Sequence, residues 1–166
     1  MKKIIWTAAF ILPMLIAGCR TPQYLPTPDT IDVNVYGSYI KIQPLLVSEI
    51  KGELIAIDTD TITVLTKDAK ECVTIPVKDV LNFTLKYARP KKRYWWSIPA
   101  SLPAAGMHGF YFPVSLPVNL LVTVSVTASS ENAFRYSEAD MTYDKLRMFA
   151  RFPQGIPPGI DRASIR

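Results

Sequence analysis

The sequence is short of the side chains that most enzymes and metal sites use. Its 166 residues include one histidine, His108, and two cysteines, Cys19 and Cys72. A Ser–His–acid triad or a zinc site would have to use His108, which has no Asp or Glu within twenty residues on either side. The chain also has no Gly-rich phosphate loop and no His-Glu-x-x-His motif. These absences predict a protein without enzymatic activity and without a metal or cofactor.

The N-terminus has the pattern of a bacterial lipoprotein signal. Lys2 and Lys3 precede an apolar run of 13 residues, 4–16, and the segment closes with Leu15-Ile16-Ala17-Gly18-Cys19. As a helix this run would be only about 20 Å long, which is too short to cross a bilayer and suits a signal peptide. We therefore expect residues 1–18 to be removed and Cys19 to carry the acyl chains that anchor the mature protein.

Cys72 and the overall charge favour no specific chemistry. Once Cys19 is acylated, Cys72 has no intramolecular partner, and its apolar neighbours in 72–75 favour a buried structural thiol. Without the signal, 17 basic residues face 14 acidic ones, a mild excess that does not indicate a nucleic-acid partner. Prolines outnumber glycines by 14 to 7, which disfavours long uninterrupted helices.

The first half of the mature chain predicts a tether followed by a small β-domain. Residues 19–30 contain three prolines and no apolar period, as expected of an extended tether. Residues 31–88 alternate in twos, and Asp58-Thr59-Asp60 joins two β-rich runs as a hairpin turn. The apolar members of the alternation begin with Ile31, Val33 and Val35 and end with Leu81, Phe83, Leu85 and Tyr87. About five short strands predict a small antiparallel β-barrel or a curled sheet.

Part of this region resembles a known group of small barrels. Gly52-Glu53-Leu54-Ile55, the acidic hairpin after it, and the step Ile75-Pro76-Val77 are similar to SH3-like and Sm-like barrels. The resemblance covers about a third of the chain. It implies a closed barrel, and it identifies no RNA-binding loop residues here.

Residues 89–130 form a link followed by a long uncharged segment. The basic residues Arg89, Lys91, Lys92 and Arg93 stand directly before Tyr94, Trp95 and Trp96, and the 37 residues 94–130 contain no Lys, Arg, Asp or Glu. We predict an apolar helical hairpin with arms at about 95–105 and 110–128. The second arm is the open point, because Val and Thr alternate in 121–127 as they do in strands.

Three placements of this hairpin are open at the level of sequence. It could pack on the sheet or pair its own helices, it could enter a bilayer shallowly, or it could span one. The cations and the tryptophans Trp95 and Trp96 are typical of a membrane interface, where they meet phosphates and the headgroup layer. A solvated link between two elements is the alternative for the same cations.

Residues 131–166 predict a C-terminal helix and a Pro-rich tail. Asp140 can reach back to the N–H of Ser137, and Ala139, Tyr143, Leu146 and Ala150 share one helical face. Pro153 is expected to end this helix. The apolar tail 152–160 then lies across its own domain or docks on a partner.

The combination resembles small envelope lipoproteins of Bacteroidota. This resemblance depends on four features: the Lys-Lys signal, the Gly-Glu-Leu-Ile strand, the uncharged middle with His108-Gly109, and the run 150–157. Such families have no assigned activity, so the resemblance implies no site residues. Arg20 is not the Asp that retains lipoproteins at the inner membrane, and residues 20–24 lack the acidic signal for surface display. The resemblance thus implies the periplasmic face of the outer membrane.

Together these observations predict a non-enzymatic, lipid-anchored envelope lipoprotein with an accessory role in structure or assembly. Its partners would be the bilayer, through acylated Cys19, and another envelope protein. The membrane-proximal residues would be Arg89, Lys91, Lys92, Arg93, Trp95 and Trp96. The alternative is a periplasmic module that binds a ligand or peptide.

Overall fold

A six-stranded antiparallel sheet forms the centre of the fold. The computed structural model describes residues 22–91 and 94–166. The strands are β1 (Tyr39–Pro44), β2 (Ile50–Ile57), β3 (Thr61–Thr66), β4 (Cys72–Pro76), β5 (Val80–Lys86) and β6 (Arg135–Ser137). Their order across the sheet is β4-β3-β2-β1-β5-β6.

The helices lie after β5 and after β6. They are α1 (Ser97–Gly106), α2 (Phe112–Asn132) and α3 (Tyr143–Leu146). Short 3-10 helices lie at Pro28–Val33, Val77–Asp79, Gly109–Tyr111, Arg147–Phe149 and Arg162–Ser164. The predicted α+β class is confirmed, and so is the helical hairpin, including a helix for the Val/Thr-rich part of its second arm.

The sheet is open, so of the two predicted forms the closed barrel is wrong. β4 and β6 stand at the two ends of the strand order, and the resemblance to SH3-like and Sm-like barrels is accordingly not confirmed. Bulges still bend the strands. In β2 the register shifts between Leu54 and Ala56, and in β1 it shifts between Gln43 and Pro44.

The strands form where the sequence alternates because each buries one or both of its faces. β2 is the central example: Glu53 to Ile57 are all buried, because the strand has neighbours on both sides and packed chain on both faces. The main core cluster consists of Ile40, Ile42, Leu54, Ile57, Ile62, Val64, Ile75, Phe83, Leu85, Leu146 and Ala150. The turn at 58–60 is the predicted one, with the N–H of Asp58 donating to the carbonyl of Thr61 at 2.9 Å.

One residue of the predicted alternation in β5 points the wrong way. Phe83 and Leu85 are buried as expected, but Leu81 is exposed. In the register with β1, Gln43 pairs with Asn82 and Pro44 pairs with Val80, so Leu81 is the extra residue of a bulge. A bulge shifts the alternation by one position, which a single strand's pattern does not reveal.

The predictions for the N-terminal segment are wrong for the residues that the structure describes. Ile31, Val33 and Val35 belong to no strand: a 3-10 helix covers Pro28–Val33, and all three side chains are exposed. Pro28 restricts the backbone at its start, and Thr27 and Thr30 form a capping box there. Residues 22–30 are also not an extended tether, since Leu25 is buried and the carbonyl of Pro26 accepts the N–H of Arg89 at 2.9 Å.

The C-terminal helix is much shorter than predicted. Asp140 does accept the Ser137 N–H, at 2.8 Å, but this bond closes a turn after β6 and no helix begins there. The helix starts at Tyr143 and ends in the 3-10 turn at Phe149, well before Pro153. The reason is long-range pairing: the N–H groups of Arg151 and Phe152 donate to carbonyls of β2, Leu54 at 3.0 Å and Ile55 at 2.9 Å.

The Pro-rich tail packs on its own domain, which was one of its two predicted placements. Ile165 is buried with Ile55, Ala56 and Leu65 in a second core cluster on the sheet. Phe152 and Ile156 pack against the same cluster.

Candidate membrane-binding hairpin

Residues 94–132, here called the hairpin, project from one end of two adjacent strands. β5 ends at Lys86 and β6 begins at Arg135, and these two residues are paired in the sheet. Tyr94 and Ser130 line one open groove together with Phe134, Lys91, Pro90 and Pro28. Both ends of the hairpin therefore meet at this groove, which we call the hairpin base.

Local sequence explains how the two helices form and turn. Pro113 lies in the first turn of α2, where its missing N–H costs no helical bond. Gly109 has φ +56° in the turn between α1 and α2, a conformation that glycine adopts readily. The turn itself stays helical: the N–H groups of Met107, His108 and Tyr111 donate to Ala104, Ala105 and His108 carbonyls. Residues 107–112 form the hairpin tip.

The outer surface of the hairpin is apolar and exposed. Val114, Leu121 and Val126 of α2 are 68%, 69% and 63% exposed. Among the described residues one segment, Gly109–Asn132, is long and apolar enough to cross a membrane, with a mean hydropathy of 1.5 and no buried residue in its apolar window. The possibility that the hairpin packs on the sheet as core is therefore wrong. The two helices instead pack against each other.

The half-buried side of α2 is more polar than its exposed side. Ser115, Asn119, Thr123 and Thr127 recur every four residues and are half-buried, beside Leu116 and Leu120. On α1 the least exposed positions include Ser97, Ser101 and Ala105, also four residues apart. The hydroxyls of Ser101 and Ser115 donate to carbonyls in the preceding turn, Ile98 at 2.7 Å and Phe112 at 3.4 Å. This polarity is the reverse of that of a helix in water.

The interface between the helices is built from small and hydroxyl-bearing residues. Such residues let two helices approach closely, and in a membrane they are favoured between helices while Val and Leu face the lipid. A hydroxyl that bonds its own backbone does not need water. The spacing of four in Ser115, Asn119, Thr123 and Thr127 is the sequence signal that could have identified the half-buried side of this predicted helix.

A charged pair fastens the hairpin to the sheet. Lys86 of β5 lies 3.2 Å from Glu131 of α2, with side chains 9% and 29% exposed. The Tyr87 hydroxyl also donates to the carbonyl of Ala133 at 3.4 Å. Glu131 marks the end of the uncharged stretch, so the charged part of α2 stays beside the sheet.

The predicted membrane-proximal residues fall into three groups. Lys91, Trp95 and Trp96 are exposed at or next to the hairpin base. Arg89 is half-buried, and its Nε is buried without a hydrogen-bond partner, so it belongs to the fold more than to a surface patch. Cys19, Lys92 and Arg93 lie outside the described residues, so the structure does not place them.

An anionic side chain lies beside the exposed cation at the base. Lys91 Nζ lies 2.9 Å from an Asp29 carboxylate oxygen, and this hydrogen bond raises the pKa of Lys91 above its usual value. Asp29 belongs to the 3-10 segment that follows the predicted anchor. The N-terminal segment and the hairpin base are therefore in direct contact.

The sequence did not indicate the most buried ion pair in the described part of the chain. Glu53 Oε1 accepts the Arg151 Nε–H and the Gly37 N–H, both at 2.7 Å, and Glu53 Oε2 accepts from Arg151 Nη2 at 2.6 Å. The hydrogen bond to Glu53 raises the pKa of Arg151. The guanidinium also lies 5.1 Å from the centre of the Tyr36 ring. The pair joins β2 to the C-terminal segment, which identifies a structural role.

The side chains that commonly bind metals do not cluster among the described residues. No group of three or more His, Cys, Asp or Glu side chains that could hold a metal occurs in residues 22–91 and 94–166. His108 is exposed at the hairpin tip. Cys72 is half-buried, and desolvation raises the pKa of its thiol, which disfavours the reactive thiolate.

A cleft of about 280 Å³ lies between the N-terminal segment and the C-terminal turn. Its lining includes Tyr36, Ser38, Tyr87, Phe149 and Arg151. The volume is at the lower limit of pockets that bind small molecules.

No family model, no curated protein and no solved structure matches the chain.

Proposed function

We propose that this protein is a non-enzymatic lipoprotein of the bacterial cell envelope. Acylated Cys19 anchors it, and it acts as a structural or assembly accessory at the periplasmic face of the outer membrane. The observation that carries the proposal is the hairpin, whose exposed surface is apolar and which has no charged residue from Tyr94 to Ser130. An apolar surface of this extent is typical of a membrane or protein contact.

The position of the N-terminal segment supports an anchor on the same side as the hairpin. Pro26 accepts a hydrogen bond from Arg89, and Asp29 pairs with Lys91, so this segment lies against the hairpin base. Pro26 is seven positions after Cys19. At about 3.5 Å per step this segment reaches no further than roughly 25 Å, so lipid on Cys19 and a membrane around the hairpin are compatible.

The residues at the base are suited to the headgroup layer. Trp95 and Trp96 have amphipathic rings, and Lys91, Lys92 and Arg93 offer charges to lipid phosphates. Arg89 has a different role, because its N–H bonds to the carbonyl of Pro26 in the N-terminal segment.

Acylation is tested by metabolic labelling with a clickable palmitate analogue. The wild type and a Cys72→Ser variant should both be labelled, while a Cys19→Ser variant should not. Cys72→Ser is the matched control because it removes the other cysteine. Label retained by Cys19→Ser, or a labelled product that keeps its first eighteen residues, would overturn the proposal.

The second membrane contact is tested on a soluble form without the signal and with Cys19→Ala. We expect it to float with vesicles that contain anionic lipid, and to bind about a hundredfold more weakly when Lys91, Lys92 and Arg93 are changed to Ser, at about 1 kcal/mol for each cation. The control changes three exposed lysines of the sheet domain, Lys67, Lys70 and Lys78, to Ser. An equal loss in both triple variants would mean that only net charge matters.

An accessory role requires a surface for a partner away from the membrane. The loop after β1 offers Leu45, Leu46 and Val47, all exposed, with Leu46 95% exposed. β1 begins beside Lys86 at the hairpin end of the sheet and ends at this loop, which lies about 17 Å further along the strand. Pull-down from detergent-solubilised envelopes should recover a partner with the wild type and lose it with Leu46→Asp. Recovery of the same proteins with both would exclude the loop.

The second candidate function is a periplasmic module that binds a ligand or peptide, and the cleft beside Tyr36 and Phe149 favours it. Val35 lines this cleft and is exposed, so Val35→Trp should fill its mouth. Loss of ligand-induced thermal stabilisation in this variant, with an unchanged melting temperature of the free protein, would support the module. No stabilisation of the wild type by envelope extracts would count against it.

A further inference from the structure

We propose that the hairpin crosses the hydrocarbon layer twice. Both of its ends would stay at the anchor side, and its tip would lie at the interface of the opposite leaflet. This inference rests on the proposed location of the protein beside a membrane. It goes further because it fixes how deeply each helix lies and which residues meet each interface.

The length of the hairpin matches the hydrocarbon layer. From Phe112 to Ser130 α2 advances 18 residues, which is about 27 Å at 1.5 Å per residue. Tyr94 lies in the same groove as Ser130, so residues 94–111 must cover a similar distance back to the tip. The hydrocarbon core of a bilayer is about 30 Å thick, so the tip would reach its far side.

Aromatic residues occur only at the two ends of the hairpin. Tyr94, Trp95 and Trp96 stand at the base, and Phe110, Tyr111 and Phe112 stand at the tip. The stretches between them, 97–109 and 113–132, contain none. All six aromatic side chains are exposed. Aromatic belts at both interfaces with an aliphatic zone between them are typical of membrane-crossing segments.

The backbone of the tip can tolerate an environment with little water. Irregular backbone in lipid leaves polar groups unpaired, at several kcal/mol each. Here the N–H groups of Met107 and His108 donate to carbonyls in the last turn of α1, and those of Tyr111 and Phe112 donate to carbonyls within the tip. The imidazole of His108 and the hydroxyl of Tyr111 would reach the far headgroup layer.

The polarity within the hairpin fits two adjacent crossings. Ser115, Asn119, Thr123 and Thr127 lie on the less exposed side of α2, and Val114, Val118 and Leu121 lie on the exposed side. Paired helices thus present aliphatic side chains outward to lipid. A hairpin lying flat on the surface would need a polar side facing water, and neither helix has a charged residue to supply one before Glu131.

Depth-dependent fluorescence quenching tests this arrangement. The acylated mature protein with Cys72→Ser is reconstituted in vesicles, and single cysteines carry a fluorophore at position 96, 102, 110 or 122. Cys19 does not react because its sulfur is in a thioether. Leu102 and Val122 are exposed positions near the middle of each arm. Leu46→Cys in the distal loop is the unquenched control, and Met107→Cys replaces Phe110→Cys if that variant fails to insert.

Two crossings predict a symmetric depth profile. Labels at 102 and 122 should be quenched at least twofold more by lipids that carry the quencher deep in the acyl chain than by lipids with a shallow quencher. Labels at 96 and 110 should show the opposite preference. A tip label deeper than those at 102 and 122 would indicate a shallow wedge, and uniformly shallow labels would indicate a surface helix; either overturns the inference. Acylation of Cys19 without quenching of any hairpin label would overturn this inference and leave the proposed function standing.

Discussion

The sheet domain buries its apolar side chains, whereas the hairpin exposes them. In the sheet, Ile40, Leu54 and Phe83 are almost fully buried, while in α2 Val114, Leu121 and Val126 are mostly exposed. Burial of apolar area from water stabilises the sheet domain. The same term makes the exposed hairpin unfavourable in water and favourable in lipid. One chain therefore carries a region that buries its apolar side chains and a region that exposes them, and the second is the region for which we propose a bilayer contact.

The largest effect is expected for the buried ion pair of the sheet domain, Glu53 with Arg151. Glu53→Ala leaves Arg151 without its partner, and removal of one member of a buried ion pair costs about 3–5 kcal/mol. Urea unfolding followed by circular dichroism measures this. Glu138→Ala, at an exposed position of the same domain, should change the free energy of unfolding by less than about 0.5 kcal/mol. Equal costs for the two variants would show that the Glu53–Arg151 pair is not structural.

A pair of leucines tests the comparison directly. Leu146 of α3 is fully buried against the sheet, and Leu121 of α2 is 69% exposed. Leu146→Ala should lower the free energy of unfolding by about 2–5 kcal/mol, whereas Leu121→Ala should change it by less than about 0.5 kcal/mol. For vesicle binding we expect the reverse order. Leu121→Ala removes about three carbons from lipid contact and should weaken binding by roughly 2 kcal/mol, about thirtyfold, whereas Leu146→Ala should leave binding unchanged.

Two results would contradict the prediction for the leucine variants. If Leu121→Ala destabilised the protein in water as much as Leu146→Ala, the hairpin would be packed on protein. If it left vesicle binding unchanged, its exposed surface would have another partner.

Tyr24 tests whether the segment before the 3-10 helix belongs to the sheet domain. Burial raises the pKa of the Tyr24 hydroxyl far above its usual value, and its oxygen has no hydrogen-bond partner. The folded state then keeps this proton above pH 10 while the unfolded state releases it, so stability falls as pH rises from there. Tyr24→Phe should be neutral or stabilising by about 1 kcal/mol at pH 7. It should also reduce the loss of stability in alkali, measured by urea unfolding from pH 8 to 11.

Two other half-buried tyrosines set the control for this measurement. Burial also raises the pKa of Tyr39 and Tyr143, so some alkaline loss should remain in Tyr24→Phe. An unchanged pH profile would mean that Tyr24 is exposed to solvent, and the segment would then be a tether after all.

The elements that the sequence predicts correctly are those with a local pattern. The alternation of β5 and the acidic turn at 58–60 were predicted because each strand buries one face and the turn residues bond their own backbone. The uncharged hairpin was predicted because 37 residues without charge cannot form an ordinary surface. The bulge at Leu81 was not, because it depends on the register with β1.

What escaped prediction depends on contacts between residues far apart in the chain. Arg151 ends up beside Glu53, and its backbone bonds to Leu54 shorten the C-terminal helix. No local sequence pattern near residue 151 predicts a strand-like contact. Tertiary packing therefore decides where the C-terminal helix ends.

The smallest expected effect lies at the contact between the two regions, the Asp29–Lys91 pair. Both side chains are largely exposed, so the pair contributes little to stability. Asp29→Asn should leave the melting temperature unchanged but free a cation at the hairpin base, which should raise affinity for anionic vesicles about fivefold. Lys91→Ser should lower that affinity by a similar factor. Both changes should disappear at about 1 M salt, where the Debye length is only about 3 Å. If Asp29→Asn lowered vesicle affinity instead, the carboxylate would be positioning Lys91 for lipid.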